Sequence, residues 1–305
     1  MQGLQCRNTV VPMLNDAVSH PAAPVAPTHV APVVGRYRRP WLFFALATAI
    51  PWALWLLAGA LSRQGDHPVL VALLALAGLC APIAVAFAMV WPDAVLRADV
   101  WRRLTNVGEV RWWAWAVAVL VLPGALLLGT GISLLFGYSP DQFLFRDGYS
   151  FTGGGLVPAW LTLALAPVLE ELAWHSYGTD ALASRWTVLR SSLVFGVIWF
   201  LWHVPLATIE GLYQAEVVET GWLASLNFGL SVFPFVILMN WVYYRSGRNI
   251  PLTMLFHLVA NFGNELWQTH PDTKVIQTAI LLVVCVVVVW RDRELFLTRP
   301  GRAIG

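Results

Sequence analysis

Two adjacent carboxylates, Glu170 and Glu171, lie in the otherwise apolar stretch LAPVLEELAWHSYG (residues 165–178). In a helix, His175 shares a face with Glu171 because four residues separate them, whereas Glu170 is turned by about 100° from Glu171. An ionisable group buried in hydrocarbon is costly unless a partner or cavity water compensates, so such groups are usually functional. The stretch therefore predicts one wall of a polar site inside an apolar environment.

Two further apolar stretches carry polar residues of the same kind. His203 lies in WFLWHVPL, and MLFHLVANFG places His257 and Asn261 four residues apart, on one face of a helix. Two desolvated carboxylates close together cannot both ionise easily, so Glu170 could act as the general base that activates water, with Glu171 as its neighbour. Asn261 could donate a hydrogen bond to a developing oxyanion.

A divalent metal such as zinc offers a second way to activate water, because two neutral imidazoles and a carboxylate can bind it with one position left open. The possible ligands are Glu170, His203 and His257. His175 is either a further ligand or a structural partner of Glu171. The same groups could instead orient water without a metal. Either route predicts hydrolysis of an acyl bond. The favoured candidate is a peptide bond presented in the membrane.

The composition is that of a membrane protein. Of the 305 residues, 58% are hydrophobic and 12% are charged, whereas soluble domains are nearer a quarter charged. The net charge of +2 is too small to indicate a nucleic-acid partner. The three cysteines are far apart and predict neither a disulfide framework nor a cysteine-based metal site. We expect an integral protein of the cell membrane whose partners are the lipid bilayer and a membrane-anchored protein or peptide substrate.

Apolar runs long enough to cross a bilayer, about 20 residues each, follow one another along the chain. They predict an all-α, polytopic integral membrane helix bundle of about eight transmembrane helices, forming one domain over residues 41–290. We expect a disordered Pro/Ala-rich cytoplasmic tail before it (1–40) and a short basic cytoplasmic tail after it (291–305). The predicted spans are 41–61, 69–91, 112–137, 156–180, 191–206, 222–244, 250–266 and 274–290.

Basic residues are concentrated in every second loop between the predicted spans. GRYRRP precedes the first span, LRADVWRRL follows the second, RSGR follows the sixth and RDRELFLTRPGR follows the eighth. By the positive-inside rule both termini are cytoplasmic. At 1.5 Å per residue, Glu170, His203 and His257 lie roughly 15, 18 and 10 Å from the cytoplasmic ends of their spans. These depths predict a single site in the cytoplasmic half of the membrane, reached by its substrate from that half.

Taken together, these residues resemble the motifs of the CPBP family of intramembrane proteases, the CAAX prenyl endopeptidase and bacteriocin-processing group, also called the ABI family. EELAWHSYGTDAL is similar to the first motif, WFLWHVP to the second and HLVAN to the third, over about residues 156–266. The resemblance implies an eight-span helical fold and an endopeptidase of the metallo or glutamate type, in which the first acid activates water. The residues that it assigns to catalysis are Glu170, Glu171, His203, His257 and Asn261.

Two departures from the family motif affect this interpretation. His175 stands where the family has arginine, and Ser176 stands where a small glycine is usual. Arginine is permanently charged and can pair with an acid bidentately, whereas histidine can be neutral at pH 7. The change keeps open an alternative, a catalytically weak CPBP-like binding or immunity protein that holds a peptide without cutting it. Elsewhere, Asn240 is expected to be a packing contact and Glu265 to be solvated near a helix end.

Overall fold

The computed structural model describes residues 31–152 and 157–300. Within these residues the chain is helical, and the predicted all-α polytopic architecture is confirmed. The α-helices are α1 (Ala31–Val34), α2 (Pro40–Ser62), α3 (Pro68–Val90), α4 (Ala94–Thr105), α5 (Trp112–Ser133), α6 (Ala159–Ala173), α7 (Thr179–Ala183), α8 (Val188–His203), α9 (Tyr213–Thr220), α10 (Trp222–Arg245), α11 (Ile250–Leu266), α12 (Pro271–Arg291) and α13 (Arg293–Leu297).

Six helical segments of the described chain are long and apolar enough to cross a membrane. They correspond to α2, α3, α5, α8 with the turn that follows it, α10 and α12. The fourth predicted span is broken into α6, a wide turn and α7, and the seventh is the 17-residue α11. Both of these segments are helical and packed in the bundle, so the count of eight spans stays a prediction.

Prolines and an asparagine stand at the starts of four helices of the bundle. Pro40, Pro68 and Pro271 stand in the first turns of their helices, where a missing backbone N–H breaks no intrahelical hydrogen bond. Helix α11 begins after Asn249, whose side-chain oxygen accepts a hydrogen bond from the Leu252 amide at 2.9 Å. This cap determines where the polar residues of α11 lie along the bundle.

The loops form two ends of the bundle with different charge. At the arginine-rich end, defined by residues 35–39, 92–111, 184–187, 246–249 and 291–300, Arg36 pairs with Asp93 at 2.9 Å and the Arg299 guanidinium donates to the Ser184 carbonyl. At the acidic end, defined by residues 63–67, 134–152, 157–158, 204–221 and 267–270, Tyr138 donates to Asp272 at 2.7 Å. The acidic residues at or beside this end are Asp66, Asp141, Asp147, Glu210, Glu216, Glu219, Glu265 and Asp272.

Folded structure extends into both of the tails that the sequence predicted. Val34 and Tyr37 are fully buried, and the Tyr37 hydroxyl donates to Asp99 at 2.8 Å, so residues 31–40 belong to the folded bundle. At the other end Phe296 of α13 is fully buried. Aromatic side chains in both segments fill the arginine-rich end of the bundle, which is why these segments pack instead of extending into solvent. Residues 1–30 and 301–305 lie outside the described residues.

Four ionised side chains form a charge cluster beneath the arginine-rich end: Asp99, Arg103, Asp180 and Arg248. None is more than 6% exposed. Arg103 contacts Asp99 at 2.9 Å and Asp180 at 3.0 Å, and Arg248 contacts Asp99 at 2.8 Å and also pairs with Asp180. Burial raises the pKa of the Asp99 carboxyl, but the adjacent Arg103 and Arg248 charges outweigh it and hold that pKa well below its usual range. Two arginines therefore balance two aspartates in a site closed to water.

Candidate active site

The acidic motif lies where helix α6 changes its winding. Glu170 and Glu171 are in the last turn of α6, and the chain continues into a π-helical turn, Trp174–Gly178. The carbonyls of His175 and Ser176 in this turn accept hydrogen bonds from the Arg103 guanidinium at 2.6 and 3.0 Å. Single π-helical turns inside α-helices occur frequently at functional sites. Here the buried charge cluster holds the turn that follows the two acids.

Glu171 lies behind the site and bridges two histidines. Its side chain is fully buried, and Oε1 accepts a hydrogen bond from His257 Nδ1 at 2.8 Å. The other oxygen, Oε2, pairs with His175 Nδ1. His175 Nε2 faces Asn240 Oδ1 at 3.1 Å, and the Asn240 amide donates to the Ser192 hydroxyl at 2.9 Å. A continuous hydrogen-bonded chain therefore connects helices α8, α10 and α11 to the acidic motif.

Glu170 faces in the other direction, into a cavity of about 530 Å³. Its Oε2 accepts a hydrogen bond from the Trp199 indole at 2.8 Å. His203 Nδ1 donates to the Trp199 carbonyl at 2.7 Å, so the neutral ring presents an unprotonated Nε2. Glu171 holds His257 in the same way, through Nδ1. The centre of the His257 ring lies 5.4 Å from that of the Trp199 ring. Each of these rings thus has one nitrogen fixed by the protein and one available to a ligand.

The structure brings together four of the residues that the sequence assigned to catalysis. Glu170, His203, His257 and Asn261 all line the cavity. Glu171 does not line it, because the 100° turn between the two acids places Glu171 against His257 and His175 instead. One acid therefore faces the cavity, and the other lies behind it and orients His257.

The metal site stays a prediction. Among the described residues, no three His, Cys, Asp or Glu side chains come close enough together to hold a metal ion. His175 is the least suited of the candidates, since Glu171 and Asn240 occupy both of its ring nitrogens. Glu170, His203 and His257 nevertheless line one cavity, where each can act on a water molecule or a substrate.

The cavity extends toward the acidic end. From Glu170 and His257 it continues along the first half of α6 and the second half of α11, past α9, to Arg146 and Lys274. The arginine-rich side of the two acids is filled by His175, Asn240 and the charge cluster, all of which are buried. The sequence predicted access to the site from the arginine-rich half, whereas the cavity approaches it from the opposite end.

Comparison with known proteins identifies the family. Residues 152–263 match the family model described as Type II CAAX prenyl endopeptidase Rce1-like. The chain is also 32% identical over 264 residues to CAAX prenyl protease 2 of Methanococcus maripaludis, an alignment that covers 86% of this chain and 97% of the relative. The chain belongs to the Rce1-like CAAX prenyl endopeptidase family. The CPBP resemblance of the three motifs is thus confirmed, and the protein is one of the intramembrane endopeptidases.

Family membership makes the substitution at His175 informative. Both ring nitrogens of His175 face acceptor oxygens, one on Glu171 and one on Asn240. Asn240 is oriented this way because its amide group donates to Ser192, whose own hydroxyl donates to the Val188 carbonyl. His175 therefore links Glu171 to Asn240 at the position where the motif resemblance implied an arginine.

Replacing His175 by alanine should lower kcat/KM by about 10–100-fold, the usual cost of removing a side chain that orients a site residue. The physical reason is that Glu171 would lose one of its two partners and would hold His257 less firmly. A peptide-cleavage assay measures the change, and thermal unfolding in detergent separates it from loss of fold. His67→Ala, at an exposed histidine, is the matched control and should leave both readouts unchanged. Equal activity of the two variants would contradict the supporting role of His175.

Three residues of this site had been overlooked or undervalued in the sequence. Trp199 donates to Glu170, and Asn240 is an anchor for His175 rather than a simple packing contact. Glu265 is 2% exposed and lines the cavity, so its predicted solvation is wrong. Two signals were present: a buried indole N–H needs an acceptor, and Glu265 continues the four-residue spacing of His257 and Asn261.

Proposed function

We propose that this protein cleaves peptide bonds of membrane-associated substrates, prenylated or bacteriocin-like, with a water molecule activated by Glu170. The observation that supports this proposal most is that the two acids occupy different positions. Glu170 lines the cavity, while Glu171 is buried behind it and orients His257. A carboxylate facing a largely apolar cavity, beside two oriented imidazoles, is the arrangement that general-base hydrolysis requires.

The first step is attack of water on the scissile carbonyl carbon. Glu170 takes a proton from the water, and Trp199 holds the carboxylate at Oε2 so that it keeps its orientation. His203 Nε2 accepts the second hydrogen of the water in a hydrogen bond, because its Nδ1–H is already donated to the Trp199 carbonyl. The new C–O bond converts the carbonyl oxygen into an oxyanion.

The oxyanion requires hydrogen-bond donors on the opposite side. Asn261 can supply its side-chain N–H, and His257, whose Nδ1 is bound to Glu171, can supply Nε2–H as an imidazolium paired with that carboxylate. In the second step the C–N bond breaks, and Glu170 returns its proton to the leaving amine. The carboxylate is thereby regenerated, and the products are a new carboxyl terminus and a new amine.

The direction in which the cavity extends indicates the side from which a substrate would enter. We propose that the arginine-rich end is cytoplasmic, in accordance with the positive-inside rule, and that both termini lie on that side. The cavity would then be reached from the acidic end, on the opposite side of the membrane. Its apolar lining, which includes Phe228, Phe235 and Leu206, suits the lipid-like or hydrophobic part of a membrane-anchored peptide.

His257→Ala should lower kcat/KM by about 10²–10³-fold, because the variant loses an oxyanion donor and leaves Glu171 without its cavity-side partner. The assay uses purified protein with farnesylated and unmodified versions of the same peptides, with and without a chelator, so that a metal requirement is visible. His67→Ala is again the control. Cleavage that survives His257→Ala would contradict the assignment. A wild-type protein that binds these peptides but cleaves none would support the alternative of a binding protein.

A further inference from the structure

Helix α11 carries a third polar residue on the stripe that faces the cavity. His257, Asn261 and Glu265 follow one another at intervals of four residues, and all three line the cavity. The mechanism above uses the first two. Glu265 lies eight residues beyond His257, which places it about 12 Å nearer the acidic end along the helix axis. Glu265 therefore lies about 12 Å along the helix from the histidine that the mechanism uses.

The Glu265 carboxylate is buried with half of its hydrogen-bonding capacity unused. The residue is 2% exposed, and Oε2 accepts a hydrogen bond from the Ser150 amide at 2.7 Å. Oε1 is buried and has no hydrogen-bond partner among residues 31–152 and 157–300. Thr269, 4% exposed and lining the same cavity, likewise has a hydroxyl without a partner in the described chain. A buried polar atom left unpaired costs about 1–3 kcal/mol, and more when it is charged.

No basic side chain of the described residues neutralises Glu265. Arg146 is the nearest along the fold, because its amide donates to the Leu266 carbonyl at 3.0 Å, beside the bridge between Phe145 and Trp267. Yet Arg146 forms no ion pair with Glu265 within 4.0 Å in the described part of the chain. The Lys274 ammonium group is engaged with the Asn264 carbonyl at 3.2 Å. Arg146 and Lys274 line the same cavity, but neither forms an ion pair with Glu265 within 4.0 Å among the described residues.

The surroundings also favour a cationic ligand over an anionic one. Glu216 lines the same cavity, and most of the other ionisable residues in the loops at this end are acidic. A buried carboxylate with an unpaired oxygen attracts an N–H donor that carries positive charge. A ligand at Glu265 can be part of the substrate, because Glu265 and Glu170 line the same cavity.

We propose that Glu265, with Thr269 beside it, is a subsite that binds a lysine or arginine side chain of the substrate. This inference rests on the proposed peptidase function. An extended peptide advances about 3.3 Å per residue, so the separation of roughly 12 Å along α11 places the basic residue about three to four residues from the scissile bond. The subsite selects membrane-anchored peptides with a basic residue at that distance over otherwise identical neutral peptides.

A binding experiment tests the subsite without requiring cleavage. The probes are fluorescent farnesylated peptides in detergent micelles, each with one lysine moved through successive positions, and matched peptides with norleucine instead of lysine. Binding is measured by fluorescence anisotropy with the Glu170→Gln protein, so that no probe is cut. We expect lysine at one register to strengthen binding by about 10–100-fold, as charged hydrogen bonds do, and Glu265→Gln in the same background to abolish that preference.

Two further variants sharpen the experiment. Glu265→Asp keeps the charge and should keep part of the preference, whereas Glu219→Gln, at an exposed acid on the same end, should leave it intact. Equal binding of lysine and norleucine probes at every register overturns the subsite, as does a preference that survives Glu265→Gln. The proposed peptidase function is judged separately by cleavage with the wild-type protein, so a failure of one inference is distinguishable from a failure of the other.

Discussion

Glu170→Gln is expected to lower kcat/KM by about 10²–10⁴-fold, the usual contribution of a general base. Glutamine has nearly the same shape, and its side-chain oxygen can still accept the hydrogen bond that Trp199 donates to Glu170. It cannot take a proton from water. The loss should therefore appear in kcat rather than in KM, since the cavity that binds the peptide keeps its shape. Steady-state kinetics on the peptide that the wild type cleaves fastest measures both constants.

The matched control for this variant is Glu219→Gln, which makes the same chemical change at an exposed position. Its kinetics should equal those of the wild type. Thermal unfolding of both variants should lie close to that of the wild type, because neither substitution changes the packing of the bundle. A Glu170→Gln protein that retains a third or more of the wild-type kcat would exclude Glu170 as the base and leave His257, oriented by Glu171, as the next candidate.

The polar residues that gather around the cavity were predictable from the sequence because the membrane simplifies the problem. In an apolar span, a carboxylate or an imidazole is conspicuous, and the helical period then shows which side chains share a face. This reasoning found Glu170, His203, His257 and Asn261, and the structure places all four on one cavity. The four-residue spacing likewise predicted the contact between Glu171 and His175.

Partners contributed by other helices could not be predicted in this way. Nothing in the local pattern around Asn240 indicates that its oxygen meets His175, because that contact depends on how α10 packs against the acidic motif. The direction of the cavity was missed for a related reason. The depth of a residue within its span predicts the height in the membrane at which Glu170 and His257 meet. The side from which the cavity is reached depends instead on which side chains fill the space above and below them.

The charge cluster is the other feature that sequence reasoning missed, since arginines in loops were interpreted only as markers of orientation. Arg103→Met is expected to destabilise the protein by about 3–5 kcal/mol, because removing one member leaves a buried charge without compensation. Arg103 is 1% exposed and contacts both Asp99 and Asp180. Its loss also removes the hydrogen bonds to the His175 and Ser176 carbonyls, so the variant should lose activity along with stability.

The neighbouring arginine provides a control for this prediction. The Arg102 side chain is 48% exposed and contacts Asp99 at 3.2 Å, so Arg102→Ala should cost no more than about 1 kcal/mol. Equilibrium unfolding in mixed micelles measures both variants. Adding Asp180→Asn to Arg103→Met should restore part of the lost stability, because the two substitutions together leave one arginine opposite one aspartate. Equal destabilisation by Arg102→Ala and Arg103→Met would contradict the cluster. A double variant whose loss equals the sum of its single losses would show that Arg103 and Asp180 act independently.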